Sequence, residues 1–300
     1  MLELTFLREH REEVEQRLLK RNIDAKSLLD QASALDEKRR STQQELDARL
    51  ADLNGLSRTI GDLMKAGKKD EAEAARAKTT ELKTTAASLK ELLETIEKSL
   101  HDHLCTIPNA PNAKVPPGRT PEENVTVMQE GEIPTLHAGA KPHWELGEEY
   151  GFLHMDLGVK VTGAGFPVYS GQGAKLQRAL ISFFLDQAIA AGYREIIPPH
   201  MVNEASAFAT GQLPDKEGQM YHATVDGLYL IPTAEVPITN LYRDEIVEAA
   251  QLPVKMVGYT PCFRREAGSY GAHVRGLNRV HQFDKVEIVR IEKPENSYAV

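Results

Sequence analysis

The chain has very little cysteine. Only Cys105 and Cys262 occur in 300 residues, at a separation that fits no metal spacing and cannot make a disulfide framework, so the expectation is a reducing, cytosolic compartment. Long apolar runs are also lacking: no stretch nears the ~18 residues of a membrane span. The N-terminus, Met1-Leu-Glu-Leu-Thr-Phe-Leu-Arg-Glu-His, has no basic segment followed by an apolar one, and a cytoplasmic protein with no membrane contact is expected. Basic excess is absent as well. With a net charge of -8 and 27% charged residues, any nucleic-acid contact must come from a local patch and not from a global field. Gly163, Gly165, Gly171 and Gly173 precede a helical stretch, yet their spacing matches neither G-x-x-x-x-G-K-[ST] nor G-x-G-x-x-G, which removes a phosphate loop. His101 and His103 stand two apart and would face different sides of a helix end, so no metal and no zinc site is expected.

What the first hundred residues do have is helical periodicity. Phe6, Leu7, Val14 and Leu18 supply burial for a short helix within residues 1 to 27. A longer ladder follows through Leu28, Ala32, Leu35, Leu46, Leu53, Leu56, Ile60 and Leu63, with Arg39, Thr42 and Arg49 as polar rungs. It breaks over 61–70 around Gly67 and resumes at Ala72, Ala75, Thr79, Leu82, Ala86, Leu89, Leu93, Ile96 and Leu100. Two matched seams either side of a glycine turn predict an antiparallel helical hairpin over about 28–104, with arms roughly 50 to 55 Å long. Such a strip has little core of its own; it suits an oligomerisation coiled coil, a spacer, or a reaching arm. Near its tip Arg58, Lys65, Lys68, Lys69, Arg76, Lys78 and Lys83 gather cations that suit a phosphate backbone, with acids interspersed.

Pro108, Pro111, Pro116, Pro117 and Pro121 end the helical region and define a linker over 106–122. A remaining domain over 123–300 shows mixed patterns. A short strand is expected at 124–129, and an amphipathic helix at 174–191 with Leu176, Leu180, Phe184 and Ile189 on one stripe, stopped by Gly192. An apolar strand at 193–202 carries Pro198-Pro199, which favours an edge or an end. His143 and Trp144 read as packing and capping residues. In Thr233-Ala234-Glu235 an extended backbone would point the hydroxyl and the carboxylate to one face, where they could grip an ammonium group; a helix N-terminal cap is the equal alternative.

Residues 260–289 read as a hairpin: a short charged strand, a loop built on Gly268, Gly271 and Gly276, and a second strand at 280–289. Arg264, Arg265, Arg275 and Arg279 alternate with Glu266, Asp284 and Glu287. Arginine forks match phosphate oxygens and carboxylates accept from amines, while Phe283 could stack on a nucleobase. The same residue types also suit an exposed hairpin with salt bridges across its strands.

The spelling is more specific than the residue types. F-R-R-E at 263–266, a glycine-bearing loop, an arginine and then V-H-Q-F-D-K-V-E at 280–287 resemble motif 2 of a class II aminoacyl-tRNA synthetase, in the wording of the seryl-tRNA synthetases. I-P-N-A-P with V-P-P-G in the linker, P-H-W-E-L at 142–146 and the T-A-E segment are similar to that family too. The resemblance implies an α+β fold: an N-terminal antiparallel coiled-coil hairpin joined to a mixed or antiparallel sheet with flanking helices. It implies that Arg264 is catalytic and holds the ATP α-phosphate with Arg265 beside it, that Glu266 takes the adenine amino group, Val280 lines the pocket and Phe283 stacks on adenine. Thr233, Ala234, Glu235 and Glu287 would bind L-serine. ATP and Mg²⁺ are the implied cofactors, tRNA(Ser) and also tRNA(Sec) the implied acceptors, held by the arm through Arg58, Lys65, Lys68, Lys69, Arg76 and Lys78. The helix and strand over 174–202 would form a homodimer interface.

The family's third motif, a glycine-rich segment with an arginine for the γ-phosphate, is not found after Val289. Pro294-Glu-Asn-Ser-Tyr-Ala-Val reads as the first turn of an unfinished helix. A shortened chain is therefore expected, with part of the Mg²⁺ and serine sites beyond it and activity in doubt. Three other readings stay open: an inactive RNA-binding relative, a coiled-coil scaffold that binds no ATP, and a class II enzyme for threonine or proline, which would usually lack this hairpin.

Overall fold

The computed structural model describes residues 2–266 and 275–299; Gly268 and Gly271, expected in the hairpin loop, lie outside the described residues. The chain divides into two compact units, Met1–Ile133 and Pro134–Val300.

In the first unit α1 (Leu4–Glu9) and α2 (Arg11–Leu19) replace the single expected helix, parted at His10. Leu7, Val14 and Leu18 are buried as expected, whereas Phe6 lies at the surface. The hairpin is present: α3 (Ala25–Lys65) and α4 (Lys69–Leu104) run antiparallel in contact. At 1.5 Å per residue the 41-residue α3 is roughly 60 Å long, longer than expected because the break is narrower. Gly61 stays inside α3, and the reversal needs only 66–68, where Gly67 takes φ 74°. Leu46, Ala86 and Leu93 form the middle of the seam, with Leu53 and Leu89 packed on them. Its base merges with α1 and α2 through Leu29, Ala32, Leu100 and Leu104. Leu29, not Leu28, is the fully buried rung there, and Asp36 is a buried acid held by Arg39 at 3.1 Å and Arg8 at 3.5 Å.

The proline-rich segment is tied to this unit. Ile107 belongs to the basal core, Lys20 Nζ donates to Ala113 O (2.8 Å) and Val115 O (2.6 Å), and Asn22 Nδ2 donates to Gly118 O (2.8 Å). The strand expected at 124–129 does not form; those residues are irregular and exposed, and among the described residues no strand pairs with them.

The second unit is built on one long pair, β7 (Val254–Phe263) and β8 (Gln282–Ile291), antiparallel from Val254↔Ile291 to Phe263↔Gln282. The expected hairpin is there, but Arg264, Arg265 and Glu266 stand beyond the strand end. Ahead of it come α5 (His143–Glu149), β1 (Leu153–His154), α6 (Met155–Val161), β2 (Val168–Tyr169) and α7 (Gly171–Ala190). The strand expected over 193–202 is two pieces: β3 (Arg194–Glu195) pairs parallel with β7, and β4 (Met201–Asn203) joins a different sheet with β6 (Leu228–Leu230) and β5 (His222–Ala223). Pro198 and Pro199 lie between them, where donor-free residues can leave one ladder before the next begins. Helices α8 (Glu204–Ala209) and α9 (Glu235–Thr239) complete the unit.

Helix α7 lies where the sequence put it, but its Leu176, Leu180, Phe184 and Ile189 stripe faces outward. The face it turns to β7 and β8 carries Gln177, Ile181 and Leu185, spaced four apart, while Gly173 abuts Phe152, where an added Cβ would stand 2.5 Å from the carbonyl oxygen. Gln177 Nε2 donates to Asp284 Oδ2, and Tyr259 Oη donates to Asp284 Oδ1 at 2.6 Å. Burial and the neighbouring Asp284 carboxylate push the Tyr259 hydroxyl up to about 12. On the opposite face α9 packs Ile238 against Gly258, where an added Cβ would stand 2.6 Å from Ile238 Cδ1 and 2.8 Å from Ile196 O.

Among the described residues no helix is long and apolar enough to cross a membrane. Two stability tests follow from this packing. Gly258→Ala should lower the unfolding midpoint, costing about 1–3 kcal/mol. Gly55→Ala, where a Cβ on exposed α3 meets nothing within 4 Å, should raise stability by about 0.5–1 kcal/mol. Equal signs in denaturant titrations would contradict the packing at Gly258. Because the folded state holds the Tyr259 proton more tightly than the unfolded one, the stabilisation is present below pH 10 and declines towards pH 12. The stability advantage over Tyr259→Phe should shrink across that window in unfolding curves at stepped pH.

Candidate functional site

The period-two alternation of β8 puts Phe283, Lys285 and Glu287 on one face. Their partners across the ladder are Cys262, Thr260 and Gly258, all small and all buried. Bulky functional side chains on one strand therefore stand beside short ones on the next. Asp284 and Val286 point to the other face, the one α7 covers, so Asp284 is bound to Tyr259 and Gln177 and not to an arginine as the charge pattern suggested.

Segment 231–235 crosses this open face. Phe263 N–H donates to Ile231 O at 2.9 Å, and Ile231 N–H to His200 O at 3.1 Å, which ties it to the end of β7. Thr233 is buried, and its hydroxyl donates to Glu287 Oε2 at 2.8 Å. Lys285 Nζ donates to Thr233 Oγ1 at 3.2 Å and forms an ion pair with Glu287. The three make one polar cluster. Ala234 is fully buried beneath it. The expected extended Thr233-Ala234-Glu235 does not occur: Ala234 is already α-helical, Glu235 opens α9 with its side chain exposed, and Glu235 N–H donates to Thr233 Oγ1 at 3.2 Å. Thr233 thus caps the turn at the start of α9 as well as meeting Glu287.

Beyond the last strand pair, Arg264 N–H donates to His281 O at 2.9 Å, extending the ladder by one bond. The Arg264 guanidinium lies over the Phe283 ring, 5.2 Å from its centre. Val280 is buried beside this end. Glu266 sits in the left-handed region at φ 46° and accepts from Arg279 Nη1 at 2.8 Å. Of the expected nucleotide residues, Arg264, Phe283, Val280 and Glu266 thus gather at the open end of the strand pair. Arg265 is exposed, and its backbone N–H is turned to Gln219 O at 2.9 Å.

Arg275 stacks on Trp144 at 5.3 Å, while His143 Nε2 accepts from Leu277 N–H at 2.8 Å, so both α5 residues brace the returning chain. Gly276, at φ 71°, fits there because a side chain would collide with His143 and Trp144. In the other unit, Arg58, Lys65, Lys68, Lys69, Arg76 and Lys78 are all exposed around the Gly67 turn, with Lys68 paired to Glu71 at 2.9 Å.

Sequence reasoning passed over Lys285, although its place midway between Phe283 and Glu287 on an alternating strand put it on the same face. It also passed over Tyr221 and His281, joined by Tyr221 Oη to His281 Nδ1 at 2.6 Å; no local pattern links residues sixty positions apart.

Comparison with known proteins covers both units. The Seryl-tRNA synthetase N-terminal domain family matches residues 1–111, and the tRNA synthetase class II core domain (G, H, P, S and T) matches 221–300. The serine-tRNA ligase of Salinibacter ruber is 45% identical over 298 residues, 99% of this chain and 70% of that protein. That of Methylacidiphilum infernorum is 44% identical over 302 residues, with the same shares. The crystal structure of seryl-tRNA synthetase from Pyrococcus horikoshii complexed with ATP superposes with a TM-score of 0.88 at 30% identity, covering all of this chain and 71% of that one. Both units, the helical arm and the β7–β8 site, fall within these matches, and the chain belongs to the seryl-tRNA synthetase family of class II aminoacyl-tRNA synthetases.

Proposed function

We propose that the residues gathered on the open face of β7 and β8 carry out the two steps of a serine-tRNA ligase. In the first, a serine carboxylate oxygen attacks the α-phosphorus of ATP, the bond to the bridging oxygen breaks, and seryl-adenylate and pyrophosphate result. In the second, the 3′-hydroxyl of the terminal adenosine of the tRNA attacks the acyl carbonyl and AMP leaves. The observation that carries this reading is the cluster of Thr233, Lys285 and Glu287 on the same strand face as the Arg264–Phe283 stack. A site for an amine and a hydroxyl thus adjoins one for a phosphate and a ring. The P. horikoshii relative complexed with ATP supports the nucleotide half.

In this reading Phe283 receives the adenine, Glu266 accepts from its amino group, Val280 forms the wall, and Arg264 and Arg265 face the phosphates. Arg264 neutralises charge that grows on the α-phosphate oxygens, which is positioning and electrostatic catalysis with no covalent step on the protein. Thr233 takes the serine ammonium over Ala234, and the exposed Glu235 carboxylate at the start of α9 turns to join it on binding. Glu287 accepts from the serine hydroxyl, a bond that alanine cannot make. Lys285 joins this subsite, since its ammonium already touches both Thr233 and Glu287. Magnesium would arrive on the ATP phosphates as part of the substrate. Among the described residues no group of three or more His, Cys, Asp or Glu side chains stands close enough to hold it alone.

The proposed division is a tRNA-binding arm at 1–105, a linker at 106–122 and a catalytic domain at 123–300. The arm would hold tRNA(Ser), and tRNA(Sec) likewise, through Arg58, Lys65, Lys68, Lys69, Arg76 and Lys78, all exposed around the Gly67 turn of the hairpin. A homodimer through 174–202 is supported by the outward stripe of α7, where Leu176 is 59% exposed and Phe184 52%, continued by Ile197 at 86%. A cytoplasmic location fits the sparse cysteine.

In ATP-pyrophosphate exchange with the full-length enzyme, Arg264→Ala should lower kcat by about 10²–10³; near-normal exchange would refute its role. Thr233→Val, which keeps the shape and removes the hydroxyl, should raise the KM for serine by about tenfold or more while the KM for ATP holds. A rise in the ATP term alone would misplace the serine subsite.

A further inference from the structure

At His281 the nucleotide end of the strand pair is tied to two other segments, and the catalytic reading gives this residue no task. Its backbone carbonyl accepts from Arg264 N–H at 2.9 Å, and its own N–H donates to Gly165 O at 2.7 Å. Its ring lies against Phe166, with centres 5.2 Å apart and planes 23° apart, in space left open by the missing side chain of Gly165. Its Nδ1 meets Tyr221 Oη at 2.6 Å. Segment 215–221 is itself fixed. The Asp215 carboxylate accepts from the backbone N–H groups of Gln219 (2.9 Å) and Met220 (2.8 Å), and Gln219 O accepts from Arg265 N–H at 2.9 Å.

We propose that Tyr221 and His281 are positioning residues for ATP: the hydroxyl–imidazole pair holds the His281 backbone where it sets the height of Arg264 over Phe283. Neither side chain is required to touch the nucleotide. Arg264 lies beyond the last strand pair with its backbone N–H on the His281 carbonyl, so a shift of His281 is passed to the guanidinium that covers the ring. Phe283, two residues along the same strand, moves with it. The serine cluster of Thr233, Lys285 and Glu287 is held by separate bonds and should be spared. Burial pushes the Tyr221 hydroxyl above its ordinary value, against a smaller opposing effect of Arg265, so the tyrosine keeps its proton for this bond through the neutral range.

This inference rests on the proposed nucleotide site, and its test separates the two. Equilibrium binding of ATP, measured by calorimetry on the full-length protein without serine, is compared for the parent, Tyr221→Phe, His281→Ala and His281→Asn. Steady-state exchange at varied serine accompanies it. Loss of one hydrogen bond should weaken ATP binding roughly two- to tenfold in Tyr221→Phe, with the KM for serine and the unfolding midpoint close to the parent's. His281→Ala should be weaker still. His281→Asn, whose amide reaches the place of Nδ1, should recover part of the difference. ATP affinity unchanged in Tyr221→Phe, or a matching rise in the serine KM, would overturn the positioning role. A parent that binds ATP but exchanges with no serine would refute the ligase reading alone, since the ATP affinities still decide this one.

Discussion

Everything at the candidate site depends on the pairing of β7 with β8 and on the two-residue period it imposes. Ten residues on each strand are locked in register from Val254↔Ile291 to Phe263↔Gln282, and a slip of one would send every side chain to the other face. In the observed register Phe283, Lys285 and Glu287 share the open face, while Asp284 lies under α7. The smallness of Gly258, Thr260 and Cys262 opposite them has the same origin. A larger residue at Gly258 would collide with Ile238 and Ile196 O and drive α9 away.

The sheet divides its labour between its faces. On one side α7 supplies Gln177, whose amide joins Tyr259 in fixing Asp284, a set of bonds with no part in the chemistry. On the other side few groups are locked to each other, and those that are, Thr233 with Glu287 and Lys285, are bound through polar atoms that a substrate amine or hydroxyl can also engage. Buried polar groups must be satisfied in the empty site as well as in the filled one. The Thr233–Lys285–Glu287 cluster meets that demand before a ligand arrives.

The arm and the strand pair were the most legible parts, because each rests on a period that the chain repeats many times. The seam from Ala72 to Leu100 was readable residue by residue, and so was the alternation that ends in Glu287. What failed depended on partners distant in sequence. The apolar stripe of α7 signalled an interface but not which way it faced, since Gly173 and Gln177, a glycine and an amide, turned out to form the packing side. Thr233 and Glu235 were expected side by side, but with α9 opening at Glu235 one is buried and the other exposed. Tyr221 and His281 carry no motif, and only the fold brings them within 2.6 Å.

That contrast explains why the motif wording identified the family more surely than the charges located the site. Charges predict a pairing only if both partners are near in sequence or on adjacent rungs, as for Arg279 with Glu266 and Lys285 with Glu287 among the described residues. Arg264, Arg265 and Arg275 found a ring, a position at the surface and a second ring. A guanidinium stacked on an aromatic face keeps its in-plane donors directed outward along its edge. Arg264 is thus held in place by Phe283 through its flat side while its forked edge stays available, and orientation without consumption of donors is what recognition of a phosphate requires.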